Sequence, residues 1–174
     1  MILRQHFHKP VSNPNATSYQ PVTAVFATAL AMALAATWAS TGIVTTVRSL
    51  EWFIAFSMCI LAILKLRDLE TFSNMFLGYD LLAQRYARYA YVYPFGEAIS
   101  GVLMVAGGAL KRLAIPVAFV IGTIGAASVF KAVYIDKREL KCACVGGDSK
   151  VPLGFISLTE NLMMVAMSVW MAVR

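Results

Sequence analysis

The chain has 174 residues, of which 59% are hydrophobic and 14% charged, against about 25% charged in a soluble domain. That balance excludes a water-soluble globular enzyme and leaves room for four or five membrane spans of about 20 residues each, with no separate soluble domain. The net charge of +6 is accounted for by basic residues clustered between the apolar runs, so nucleic acid is not implied as a partner.

In chain order, residues 1–20 form a polar tail carrying Arg4, His6, His8 and Lys9. The tail lacks the contiguous apolar core of a signal peptide. It precedes a single transmembrane helical bundle domain over 21–174, and its two histidines are read as solvated. Apolar runs at 22–39, 52–66, 89–109, 113–135 and 152–173 predict about five transmembrane helices. The fold class is therefore an all-α, polytopic membrane helical bundle. Residues 40–51 hold Arg48 and Glu51 and are read as an interfacial connection. Residues 68–88 place Leu69, Phe72, Met75, Phe76 and Tyr79 at helical spacing, which predicts a short helix lying in the interface.

Ala27, Ala31, Ala35 and Ala39 recur every fourth residue in the first run, as do Gly122 and Ala126 in the fourth. Such strips allow close helix packing within the bundle. Tyr79, Tyr86, Tyr89, Tyr91 and Tyr93 cluster at the start of the third run and read as an aromatic belt.

Antiparallel spans put the tail, the 66–88 connection and the 136–151 loop on one side. That side holds Arg4, Lys9, Lys65, Arg67, Arg85, Arg88, Lys137, Arg138, Lys141 and Lys150. The other side holds only Arg48, Lys111, Arg112 and Arg174. The positive-inside bias places the 136–151 loop in the cytoplasm.

Ionisable residues inside spans are costly and face a partner or the bundle interior. At helical rise, Glu97 and Glu160 lie about 12–13 Å from the ends of their runs, and Lys131 about 7 Å. The alternation of spans puts all three, with Lys65 and Asn161, in one half of the membrane, beneath the 136–151 loop. A buried polar site is expected there.

That loop carries Lys141-Cys142-Ala143-Cys144-Val145-Gly146-Gly147. Two thiols two residues apart can cycle between dithiol and disulfide, through a strained and readily reduced ring. They can also hold a soft metal. A redox role expects both side chains to be reachable from water. Met163, Met164, Met167 and Met171 give the last run a methionine face, which suits a soft ion and equally suits packing. Cys59 reads as a buried apolar thiol. No Ser/His/Asp set or phosphate-cradling loop is present.

Residues 76–83 (Phe-Leu-Gly-Tyr-Asp-Leu-Leu-Ala), Tyr91-Val92-Tyr93-Pro94-Phe95-Gly96-Glu97, the Cys142–Gly147 run, Pro152 and Thr159-Glu160-Asn161 together resemble the MauE/DoxX group of redox-associated integral membrane proteins, over roughly 52–172. The resemblance implies a small helical bundle in a bacterial inner membrane. It also implies a link to methylamine-utilisation-type maturation beside a thioredoxin-like protein, and, through DoxX-like relatives, to quinone-coupled sulfur chemistry. The resulting expectation is a membrane protein that handles thiol–disulfide electrons. Cys142 and Cys144 are the redox pair, Glu97 or Glu160 manages protons, and Lys131 lowers a thiol pKa or pairs an acid. A membrane quinone is the electron partner by analogy. One alternative is soft heavy-metal (copper or similar) binding or transport through Cys142, Cys144, Met163 and Met167. Another is a non-catalytic accessory subunit of a larger membrane complex.

Overall fold

The computed structural model describes residues 19–140, 142 and 152–173. His6 and His8, Cys144 and Arg174 lie outside them. The described elements are α1 (Gln20–Thr41), α2 (Val47–Arg67), α3 (Leu69–Leu77), α4 (Leu81–Arg85), α5 (Ala87–Ala106), α6 (Gly108–Phe130), a π-helical turn continuing α6 (Lys131–Ile135) and α7 (Phe155–Val173).

Local chemistry sets the helix ends. Pro21 sits in the first turn of α1, where its missing N–H costs nothing. Gly42 ends α1 in the left-handed region at φ 71° and donates its N–H to the Trp38 carbonyl at 2.8 Å, a glycine C-cap. The 40–51 connection is thus reduced to a few residues, because Thr46 and Ser49 form a capping box that starts α2. Asp68 caps α3 by accepting from the Thr71 N–H, and Asp80 caps α4 by accepting from the Leu82 and Ala83 N–H groups. The amphipathic stretch therefore forms two short helices, and α3 buries Phe72 and Phe76.

Cleft linings fix the arrangement of the long helices. Thr41, Val47, Gly108 and Met171 share one cleft. Tyr19, Val22 and Phe155 share another. Met104–Gly107 lies beside Arg48 and Lys111. So α1, α2, α5, α6 and α7 run alternately up and down between two ends of the bundle. One end carries the chain around Cys142 and the other carries Arg48, Lys111 and Arg112.

Among the described residues, four helices are long and apolar enough to cross a membrane: Gln20–Thr41, Val47–Arg67, Gly108–Ile135 and Phe155–Val173. The expectation of about five is corrected at α5. That helix has the length, and it packs against both α2 and α6, but Arg88, Glu97 and Ser100 make its composition more polar. Arg88, in the first turn, is exposed, but the polarity of the helix body is turned inward. Tyr93, Glu97 and Ser100 are buried, while Val92, Phe95, Ile99 and Val102 are exposed. The outward face of the bundle is apolar elsewhere too, at Leu30, Ile63, Val120 and Trp170, as expected of side chains that meet lipid.

A second correction concerns α1. The strip Ala27, Ala31, Ala35, Ala39 is exposed. The helix packs through Val25, Ala29, Ala33 and Thr37 instead. In α6, Gly122 does pack on α7: a Cβ there would meet the Asn161 carbonyl oxygen and Met164 Cβ, each at 3.1 Å.

Candidate functional site

Three long helices each bring one charge to a single point inside the bundle. Lys65, in the last turn of α2, is 2% exposed. Its Nζ donates to Glu97 Oε2 of α5 at 2.6 Å and to Glu160 Oε1 of α7 at 2.9 Å. Burying a charge is tolerated only when it is paired and hydrogen-bonded, and here each acid meets the same cation. Two carboxyl groups against one ammonium leave the cluster one proton short of neutrality. Glu97 Oε1 and Asn161 Oδ1 are buried acceptors with no hydrogen-bond partner among the described residues.

Aromatic side chains cover the cluster. The Lys65 ammonium lies 5.2 Å from the centroid of the Tyr93 ring, within cation–π range. Tyr93 in turn packs on Phe76 of α3, with ring centroids 4.7 Å apart, and on Phe72. So α3 works as a roof. On the opposite wall Gly125 lets α6 approach α7, because a Cβ there would collide with the Asn161 side chain. What remains is a cavity of about 10 Å³ bounded by Lys65, Tyr79, Tyr93, Ser157, Glu160 and Asn161. Its size suits one water at most and admits no organic substrate. Burial, with the charges of Glu160, Asp80 and Glu97, pushes the Tyr79 hydroxyl well up, so it stays a proton-bearing group on the cavity wall. Burial also pushes the Asp80 carboxyl up, against the N–H groups and the Ser128 hydroxyl that hold it down.

Ser157 joins this cavity to the cysteine. Its Oγ is 3.0 Å from Cys142 Sγ, and its carbonyl accepts from Asn161 Nδ2 at 2.7 Å. Cys142 is disulfide-bonded, whereas Cys59 is a free thiol. A bonded sulfur has no proton, so the Ser157 hydroxyl is the donor. Cys142 is fully buried against Val22, Phe26 and Ile156, so the expected accessibility from water is not met at that residue. The ends of its segment are pinned where the Leu153 N–H donates to the Leu140 carbonyl at 2.7 Å. An apolar groove of about 510 Å³ opens alongside, lined by Tyr19, Val22, Pro152, Phe155 and Ile156.

Of the residues singled out from sequence, Glu97, Glu160, Lys65, Asn161 and Cys142 come together. Lys131 does not. It sits on the π-helical turn with its side chain half exposed and pairs with Asp136 at 3.2 Å. Rotation about the axis of α6 takes it out of the bundle, and Lys65 occupies the place expected of it. Met167 does not join Cys142 either, and Met163 packs partly buried against the core. Met167 follows Ser157 by ten residues, about 15 Å along α7, too far for one ion to reach both sulfurs. Met164, Met167 and Met171 pack in the core. No group of three or more His, Cys, Asp or Glu side chains that could hold a metal occurs among the described residues. Cys59 packs α2 on α5: a Cβ at Gly101 would lie 2.7 Å from its sulfur.

Tyr79, Tyr93 and Ser157 are site residues that sequence reasoning missed. Tyr93 and Glu97 are four residues apart on one helix face, as are Ser157 and Asn161, and that spacing was the available signal. The belt assignment suits Tyr86 and Tyr91, which are exposed.

A bundle of apolar-faced helices enclosing a paired charge cluster defines a small integral membrane protein with a polar site under one end. The chain belongs to the methylamine utilisation protein MauE family, whose model matches residues 23–174. No curated protein and no solved structure matches it.

Proposed function

We propose that this MauE-family protein transfers thiol–disulfide electrons through Cys142 and Cys144, and that the Lys65–Glu97–Glu160 cluster supplies and accepts the accompanying proton. The observation that carries this reading is Ser157. It touches the Cys142 sulfur at 3.0 Å and lines the same cavity as Lys65 and Glu160.

The chemistry balances as an exchange with a thioredoxin-like dithiol. A partner thiolate attacks one sulfur of a Cys142–Cys144 disulfide and the S–S bond breaks. A mixed disulfide forms, and the leaving thiolate takes a proton. The second partner thiol then resolves the mixed disulfide and leaves as the oxidised partner. Two electrons and two protons pass to this chain. Returning them to a membrane quinone gives quinol and restores the disulfide. Ser157 donates to the sulfur as its negative charge develops, and the acid cluster behind it is the proton store. The buried cavity is too small for a quinone, so the apolar groove beside Val22 and Ile156 is the surface where an apolar acceptor would meet the cysteine end.

The excess of basic residues at the cysteine end supports a cytoplasmic side for that end, read here as the inner face of a bacterial inner membrane. Cytosolic thiol pools are reducing, so a disulfide kept there needs an oxidant such as the quinone.

Maleimide trapping before and after a thioredoxin-like reductant tests the proposal. Cys142→Ser and Cys144→Ser abolish redox cycling, and Cys59→Ser leaves it intact. Glu160→Gln shifts the pH profile of exchange, whereas Glu70→Gln, on the exposed face of α3, does not. Copurifying metal, quantified in the same samples, distinguishes ion binding. The full burial of Cys142 favours a second reading, an accessory subunit of a larger membrane complex. Cysteines that never change redox state in a folded protein decide for it.

A further inference from the structure

The end of the bundle opposite Cys142 carries a second, chemically different feature. Arg48, Lys111 and Arg112 surround an open cleft of about 760 Å³, with Glu51 as the acid on its wall. Glu51 reaches Lys111 at 3.5 Å, and the Arg48 guanidinium lies 5.8 Å from the Trp52 ring centroid. Among the described residues, the cleft wall therefore has more cationic than anionic groups.

The placement of Arg48 runs against helix electrostatics, and Lys111 and Arg112 follow directly on the first turn of α6. Arg48 is in the first turn of α2, and Lys111 and Arg112 are in the opening residues of α6. Neither helix has an acidic residue in its first turn. The N-terminal end of a helix is its positive pole, where cations are disfavoured. Gly107 and Gly108, at φ 71° and 55°, turn the chain directly from α5 into α6 in a conformation that other residues resist. No side chain caps α6. Two positive helix ends and three basic side chains are thus concentrated around one open space. The Glu51 pair and the Trp52 ring account for part of that arrangement, and a bound anion would account for the rest.

We propose that this cleft binds a net-anionic phosphate group. The site lies where the spans end, the depth of a lipid headgroup, and the wall combines guanidinium groups suited to phosphate with the apolar side chains of Val47, Ile115 and Met171 suited to the start of an acyl chain. A membrane phospholipid and a free phosphate share this chemistry, and the test separates them.

The full-length protein in an uncharged detergent is titrated with dioctanoyl phosphatidylglycerol, dioctanoyl phosphatidylcholine and inorganic phosphate, with binding read by calorimetry. Phosphatidylglycerol is expected to bind at least tenfold more tightly than phosphatidylcholine. Arg48→Gln/Arg112→Gln raises its Kd at least tenfold, and the charge-matched Arg85→Gln/Arg88→Gln, at the other end of α5, leaves it unchanged. Arg112→Gln alone gives a smaller loss in the same direction and serves if the double variant misfolds. Variant-sensitive binding of inorganic phosphate of similar strength would identify free phosphate as the source and support the site. Equal binding of both lipids, equal loss in the control variant, or no binding of any of the three overturns it.

Discussion

The two ends of this bundle use the same residue types for opposite purposes. Near Cys142, Lys65 meets Glu97 and Glu160 with side chains at most 5% exposed, around a cavity of about 10 Å³. At the far end, Lys111 meets Glu51 on the edge of a cleft of about 760 Å³, with side chains 25% and 13% exposed. The difference lies in what water does. Inside, the desolvated charges depend on one another, so the cluster fixes the rotation of three helices and can hold a proton out of contact with solvent. Outside, the cations remain at least partly exposed and available to an incoming anion. The energetics should differ accordingly: breaking a buried pair from one side costs about 3–5 kcal/mol, whereas a surface pair is worth about 0–1 kcal/mol.

The largest effect should follow from Lys65→Met. It leaves two buried carboxyl groups without a cation, and the expected loss is about 3–5 kcal/mol, read as thermal or denaturant unfolding in detergent. Lys65→Met/Glu97→Gln/Glu160→Gln should recover most of it, because removing a charge together with its partners leaves nothing uncompensated. A single variant as stable as the parent would erase the contrast between the two ends.

Glycine substitutions probe the same contrast through packing. Gly125→Ala drives a Cβ into the Asn161 side chain, and overpacking of this kind costs about 1–3 kcal/mol. Gly42→Ala, at the other end, meets nothing within 4 Å. It carries only the left-handed backbone penalty, about 1 kcal/mol. The Gly125 variant should also disturb the Ser157–Cys142 contact, detectable as altered thiol trapping, and the Gly42 variant should not.

A step smaller, Asp80→Ala removes the cap of α4, which receives the Leu82 and Ala83 N–H groups at 3.0 and 2.8 Å. Loss of an N-cap costs about 1–2 kcal/mol. Because α4 continues from the α3 roof, hydrogen exchange should quicken over 69–86 while the far end keeps its protection.

Much of this organisation was legible in the sequence, and the failures share one cause. Hydropathy located the helices, and the cost of buried charge picked out Glu97 and Glu160. Neither argument fixes the rotation of a helix about its own axis. Lys65 and Lys131 both lie near the cysteine end, yet only Lys65 turns inward. In α1 two strips of small residues, one through Ala27 and one through Ala29, have identical spacing, and only packing against α2 decides which is buried. Tyr79 and Tyr93 sit among exposed tyrosines, so the belt pattern concealed them. The run 89–109 reads as a span, and the outward side of α5 is as apolar as its neighbours.

The smallest expected effect is at the Glu51–Lys111 pair. Glu51 has a further interaction, so its deletion alone would mix several losses. A double-mutant cycle with Glu51→Gln and Lys111→Met isolates the pair term. At 3.5 Å and partial exposure, that term should be about 0.2–1 kcal/mol and shrink as salt is raised. The same cycle on Lys65 and Glu97 should return a coupling several times larger and nearly insensitive to salt, since little water or counterion reaches a buried pair. Equal couplings, or an equal response to salt, would mean that the cysteine-end cluster is hydrated after all. A proton held there would then exchange directly with solvent, and Ser157 would lose its proposed role as the link between the acids and the sulfur.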